Sequence, residues 1–133
     1  MVVDDETVGA IEQGLLVFLG IDKSDSEASA DKLLKKLLAY RVFSDAEDRM
    51  NASVQDIEGG VLLISQFTLS ADTKKGLRPS FSSAAAPRDA ELLYNYFVNQ
   101  LKLSHPSMAC GIFGADMKVS LLNDGPVTFM LEA

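Results

Sequence analysis

Leu15-Leu16-Val17-Phe18-Leu19 is an unbroken apolar run held between Gly14 and Gly20. A run this short, without alternation, reads as a strand buried on both faces, and such a strand is expected at the centre of a sheet. A second run, Val61-Leu62-Leu63-Ile64, follows the Glu58-Gly59-Gly60 turn and reads the same way, with Ser65 to Leu69 continuing it outward. The longest apolar stretch, Leu15 to Ile21, is far too short to span a bilayer, and Met1 to Glu6 lacks the basic start of a signal peptide. Membrane association is therefore not expected.

Between and after these runs the period changes. Ser24 to Glu27 has capping-box spacing, and Ala30, Leu33, Leu34, Leu37 and Leu38 recur at helical intervals opposite Lys32, Lys35 and Lys36. Val42-Phe43 runs into an acidic turn, Asp45 to Asp48. Pro87 suits the first position of a second helix, with Leu92, Leu93, Tyr96, Phe97 and Leu101 on one side and Ser104-His105-Pro106 as its end. Met117 to Leu122 and Val127 to Leu131 alternate like two strands about an Asn123-Asp124-Gly125-Pro126 turn. Strands and helices without a regular βαβ rhythm predict an α/β fold, a mixed and largely antiparallel sheet covered by two main helices. At 133 residues the chain fits a single domain, residues 1–133.

Composition narrows the partners. The net charge of −7 argues against a protein that grips long stretches of phosphate backbone. Lys74, Lys75 and Arg78 form one compact positive cluster in the stretch Ser70 to Pro87, which has no helical or strand period and reads as a site loop. The cluster is either a solvated loop or a local basic patch. The lone Cys110 cannot form an internal disulfide, which fits a reduced, cytoplasmic protein. No Gly-x-Gly-x-x-Gly or Gly-x-x-x-x-Gly-Lys-Ser/Thr motif supports a dinucleotide or triphosphate, and no cofactor or metal is expected.

Strong catalytic groups are scarce. The single histidine, His105, reads as a surface residue, and Cys110 as a packed one. Catalysis then falls to hydroxyls, amides and main chain. Ser65, Gln66 and Thr68 leave an apolar strand together and can hold a carbonyl or hydroxyl; strand alternation would put Gln66 with Thr68 on one face and Ser65 with Phe67 on the other. The alternative is a threonine capping its own backbone. Asp116 and Asp124 read as turn residues. Gly125-Pro126 can be cis for only about 0.5–1 kcal/mol, freeing a glycine carbonyl as a recognition element, or it can be a simple hairpin turn before an edge strand.

Taken in order, Gly14-Leu15-Leu16-Val17, Tyr40-Arg41-Val42-Phe43, Ser65 to Leu69, Ala71-Asp72-Thr73, Arg78-Pro79-Ser80-Phe81-Ser82, Phe113-Gly114-Ala115-Asp116-Met117 and Asn123 to Thr128 resemble the D-aminoacyl-tRNA deacylases, formerly D-tyrosyl-tRNA deacylases, over nearly the whole chain. The resemblance implies a homodimer in which each subunit's Gly125-Pro126, as a cis peptide, enters the other's pocket beside the Ser-Gln-x-Thr segment. There it would exclude L-amino acids and admit a D-amino acid, or glycine, esterified to the tRNA 3′ end. It further implies that Thr68, with Gln66 and Ser65, serves catalysis, as nucleophile, as oxyanion support, or by positioning an ester whose ribose 2′-hydroxyl assists. Gly125, Pro126, Phe67, Phe113 and Met117 would contact substrate, Phe113 by stacking on the terminal adenosine. The chain departs from the family pattern at its start, where a further strand containing Gln-Arg-Val is expected before Met1. Two other readings remain: a deacylase of tRNA mischarged with L-alanine, and a noncatalytic binder of tRNA ends.

Overall fold

A computed structural model describes the whole chain, Met1–Ala133. The two apolar runs are strands and they pair directly: β3 (Gly14–Leu19) lies parallel to β6 (Gly60–Ser65), in register from Gly14↔Gly60 to Leu19↔Ser65. On its other side β6 pairs in parallel with β7 (Met108–Cys110). The sheet order β3-β6-β7 puts the second run at the centre, not the first. Val61 to Ile64 are buried, while β3 is mostly half-buried and its Phe18 is 43% exposed. The cause is connectivity. Each parallel pair is joined through a helix, α1 (Glu27–Ala39) from β3 to β6 and α2 (Pro87–Ser104) from β6 to β7, so β6 is shared by two crossovers.

This corrects the expectation of a largely antiparallel sheet without βαβ units. Antiparallel pairing is confined to two short ribbons, β1 (Val2–Val3) with β2 (Glu6–Thr7) and β4 (Phe43–Ser44) with β5 (Met50–Ala52), and to isolated bridges such as Val2↔Lys118. The α/β class and the two covering helices stand as expected.

Strand alternation divides the core. Val61 and Leu63 face a cluster with Leu34, Leu37 and Leu38 of α1 and Tyr94, Phe97, Val98 and Leu101 of α2; Leu62 and Ile64 face the opposite side, against Met1, Val3, Val8, Ile11, Met117 and Val119. One face is thus helical, and the other is covered by the N-terminal ribbon and the segment around Met117.

Local chemistry sets the helix ends. Pro87 opens α2 as expected. At α1 the reciprocal cap is Ser26 with Ser29, two residues on from the expected Ser24–Glu27 pair. The buried stripe of α2 is Ala90, Tyr94, Phe97, Val98 and Leu101, so Leu92, 63% exposed, lies outside it. His105 is buried rather than superficial: its Nε2 lies 2.7 Å from the Gly59 carbonyl oxygen and ties the end of α2 to the turn preceding β6. From Val119 to Ala133 no strand forms, contrary to the expected pair 117–122 and 127–131. This arm crosses the surface with no backbone hydrogen bond to the rest of its own chain.

Candidate active site

β6 does not run outward through Leu69. It stops at Ser65, the Gln66 N–H donates to the Leu19 carbonyl at 2.8 Å, and the chain then tightens into a 3-10 turn over Phe67–Ser70. Two supports hold that turn. The Ser70 hydroxyl donates to the Asp22 carboxylate just beyond β3, and Gly20 leaves room that a Cβ would fill: such an atom would sit 2.9 Å from Leu69 Cβ and 3.2 Å from the Gln66 carbonyl oxygen. Asp22, Ser70 and Gly20 are thus structural partners of the site that pattern reading missed. A small residue directly after the first apolar strand was the one available signal.

The turn replaces strand alternation, and Gln66 and Thr68 meet through it. Gln66 Nε2 donates to Thr68 Oγ1 at 2.6 Å. The threonine oxygen is therefore occupied as an acceptor while its own hydrogen remains available to donate, and Thr68 is exposed. No histidine, lysine or carboxylate hydrogen-bonds Thr68. Phe67, 62% exposed, lies against Phe81 with ring centroids 5.1 Å apart and an interplanar angle of 53°.

The remaining candidates lie elsewhere in the fold. Phe113 packs on the helical side, its ring 5.7 Å from Tyr94, whose buried hydroxyl lies 3.4 Å from both the Leu63 and Gly111 carbonyl oxygens. Burial, and to a lesser degree Cys110, pushes the Tyr94 phenol up to about 12. Met117 packs on the opposite face, where its sulfur fills the space in front of Gly111. Gly125-Pro126 is cis, with Gly125 at φ +129°. Its loop is braced internally: Asn123 Nδ2 donates to Thr128 Oγ1 at 2.9 Å, and Val127 N–H donates to Asn123 Oδ1 at 3.3 Å. Within one chain no hydrogen bond connects that loop to the Gln66–Thr68 turn. Asp116 pairs with Lys118 at 2.9 Å on the surface.

No three His, Cys, Asp or Glu side chains converge as a metal site. A cavity of about 540 Å³ opens between the starts of α1 and α2, but Asp22, Asp25, Glu27 and Asp89 line it, a poor lining for a polyanion.

The sequence matches the family described as D-Tyr-tRNA(Tyr) deacylase over residues 1–132. The chain belongs to that family. Among the deacylases, a D-aminoacyl-tRNA deacylase of Cellvibrio japonicus is 66% identical over 130 residues, covering 98% of this chain and 89% of the relative. That of Saccharophagus degradans is 63% identical over 131 residues, covering 98% and 90%. A solved structure titled c-Myc DNA Unwinding Element Binding Protein superimposes with a TM-score of 0.94 at 38% identity, covering 99% of this chain and 90% of that one. No helix of this deacylase-family chain is long and apolar enough to cross a membrane.

Proposed function

We propose that this protein hydrolyses the ester joining a D-amino acid to the 3′ end of tRNA, releasing free tRNA and the D-amino acid, in the cytoplasm. The observation that carries the reading is family membership over residues 1–132, with relatives of that activity's name at 66% and 63% identity. The site geometry supports a particular form of it. Thr68 holds a hydroxyl and Gln66 an amide at fixed separation, yet no base stands beside Thr68 to deprotonate it. A hydroxyl without a base is a weak nucleophile, so its work is to orient the ester while the neighbouring ribose 2′-hydroxyl assists attack.

The working unit is a homodimer. Residues 119–133 form an extended arm that makes no backbone–backbone hydrogen bond, and Leu121, Leu122, Phe129 and Met130 are 60, 91, 53 and 74% exposed. An extended segment of this kind is a ready edge for a second copy. On this reading the Gly125-Pro126 corner of one subunit reaches the Gln66–Thr68 turn of the other and screens the substrate's stereocentre by main chain. Phe67, exposed beside Thr68, is the substrate contact this geometry supports, whereas Phe113 and Met117 pack on opposite faces of the sheet.

Comparing hydrolysis of D- and L-tyrosyl-tRNA tests the proposal. The D-ester is cleared and the L-ester spared. A gate that excludes L side chains by shape has nothing to exclude in glycine, so glycyl-tRNA is also cleaved. Cleavage of L-alanyl-tRNA alone would reassign the substrate, and retention of charged tRNA without turnover would make the protein a binder.

A further inference from the structure

Residues 65–86 hold one of the chain's 19 acids and three of its 12 cations. This stretch therefore carries +2 and the remainder of the molecule −9, within a net −7. Lys74, Lys75 and Arg78 are all exposed and none pairs with a carboxylate; the chain's ion pair is Lys118 with Asp116. Asp72, the one acid of the stretch, accepts the backbone N–H of Lys74 at 2.9 Å instead of a side-chain ammonium.

The loop bearing these cations is closed at its base. Asp72 and Ser80 exchange both backbone hydrogen bonds, at 2.7 and 3.0 Å, and Gly76 turns the tip at φ +69°, a conformation suited to glycine. Immediately below, Phe81 rests on Phe67 of the turn that carries Thr68. The cations are thus displayed from a fixed mount beside the hydroxyl and amide. Lys74 lies six residues from Thr68, no more than ~21 Å of extended chain.

We infer that Lys74, Lys75 and Arg78 are a phosphate clamp for the 3′ strand of the tRNA acceptor end, which delivers the terminal ester to Thr68. The inference rests on the deacylase reading and adds to it where the RNA backbone lies. Outside this loop acids outnumber cations, including the exposed Lys32, Lys35 and Lys36 of α1, by nine, so the loop beside Thr68 favours one place and direction of approach for a polyanion. It also resolves how a chain of net −7 can act on nucleic acid: it holds a few phosphates at one end rather than a long tract.

The experiment measures hydrolysis of D-tyrosyl-tRNA and of the minimal ester D-tyrosyl-adenosine between 50 and 200 mM salt. It uses the wild type, the neutral variant Lys74→Gln/Lys75→Gln/Arg78→Gln and the charge-keeping variant Lys74→Arg/Lys75→Arg. Each phosphate neutralised contributes about 0.7–0.9 to the salt slope, so the neutral variant flattens the log kcat/KM against log salt plot by ~2–3 and raises KM for the tRNA by about 10-fold or more. Its kcat and its rate on D-tyrosyl-adenosine stay at the wild-type level, and the charge-keeping variant retains the wild-type slope. If the wild type cleaves both esters and the neutral variant matches its slope and KM, the clamp is overturned while the deacylase reading survives. A wild type inert toward both esters overturns the two together. Inhibition by single-stranded DNA as strong as by uncharged tRNA of equal length overturns the assignment to tRNA.

Discussion

Under the proposed function, Thr68 is the residue on which the mechanism turns. A positioned base contributes typically 10²–10⁴-fold, and none touches this hydroxyl, whose oxygen already accepts from Gln66. Thr68→Ala is expected to lower single-turnover hydrolysis of D-tyrosyl-tRNA by less than about 10-fold, whereas a loss of 10² or more with intact binding would make Thr68 the nucleophile. Gly20→Ala has the larger effect although it adds one methyl outside the site. That methyl must displace Leu69 and the Gln66 carbonyl, at about 1–3 kcal/mol of overpacking, and so it moves the turn itself. Urea denaturation and turnover, measured together, check this. The polar residues of the site were legible in the sequence because Ser65-Gln66-x-Thr68 interrupts an apolar run. Their geometry was not, because the Ser70–Asp22 contact spans 48 residues and a missing Cβ matters only when Leu69 arrives against it. His105 was misread for the same reason: its partner is a main-chain carbonyl 46 residues away. His105→Ala leaves the buried Gly59 carbonyl unpaired and is expected to cost about 1–3 kcal/mol in the same denaturation assay, with kcat unchanged.

Among elements, β6 organises the rest. It is the shared member of two parallel pairs, and at its first residue the pairing with β3 brings two glycines together: a Cβ on Gly14 would stand 1.9 Å from the Gly60 carbonyl oxygen. At the other end Tyr94 of α2 reaches the carbonyls of Leu63 in β6 and of Gly111 just after β7. Its phenol, ordinarily near 10, is raised to about 12 in the fold, chiefly by burial. The folded state therefore keeps a proton that the unfolded state releases, so this contribution is intact below pH 10 and is lost as pH climbs to about 12. Tyr94→Phe should flatten the fall of melting temperature across that window, read by thermal scans at successive pH values. Both helices were visible as periodic stripes, yet the α2 stripe proved to be rotated toward Tyr94 and Val98. Apolar residues outnumber core positions on that helix, and tertiary packing chooses among them. The parallel sheet was hidden by the β4–β5 ribbon and the site loop, which break the βαβ rhythm without altering which strands are neighbours.

At the scale of the molecule, charge and shape point to different surfaces. The loop 65–86 carries a net positive charge on an acidic molecule, while the C-terminal arm exposes apolar side chains and makes no backbone–backbone hydrogen bond, the features from which the clamp and the dimer are proposed. Sedimentation at micromolar protein should find a dimer, and removal of residues 119–133 should leave a monomer that no longer separates D- from L-tyrosyl-tRNA. The arm has one more outcome, which concerns survival in the cell rather than catalysis. Exposed chain termini bearing leucine and phenylalanine are preferred protease sites. If the proposed dimer covers this terminus, a chymotrypsin-like protease should clip dilute protein near Leu121, Leu122 or Phe129 and spare concentrated protein. Lifetime would then track abundance: lone copies are degraded, and only mated ones persist.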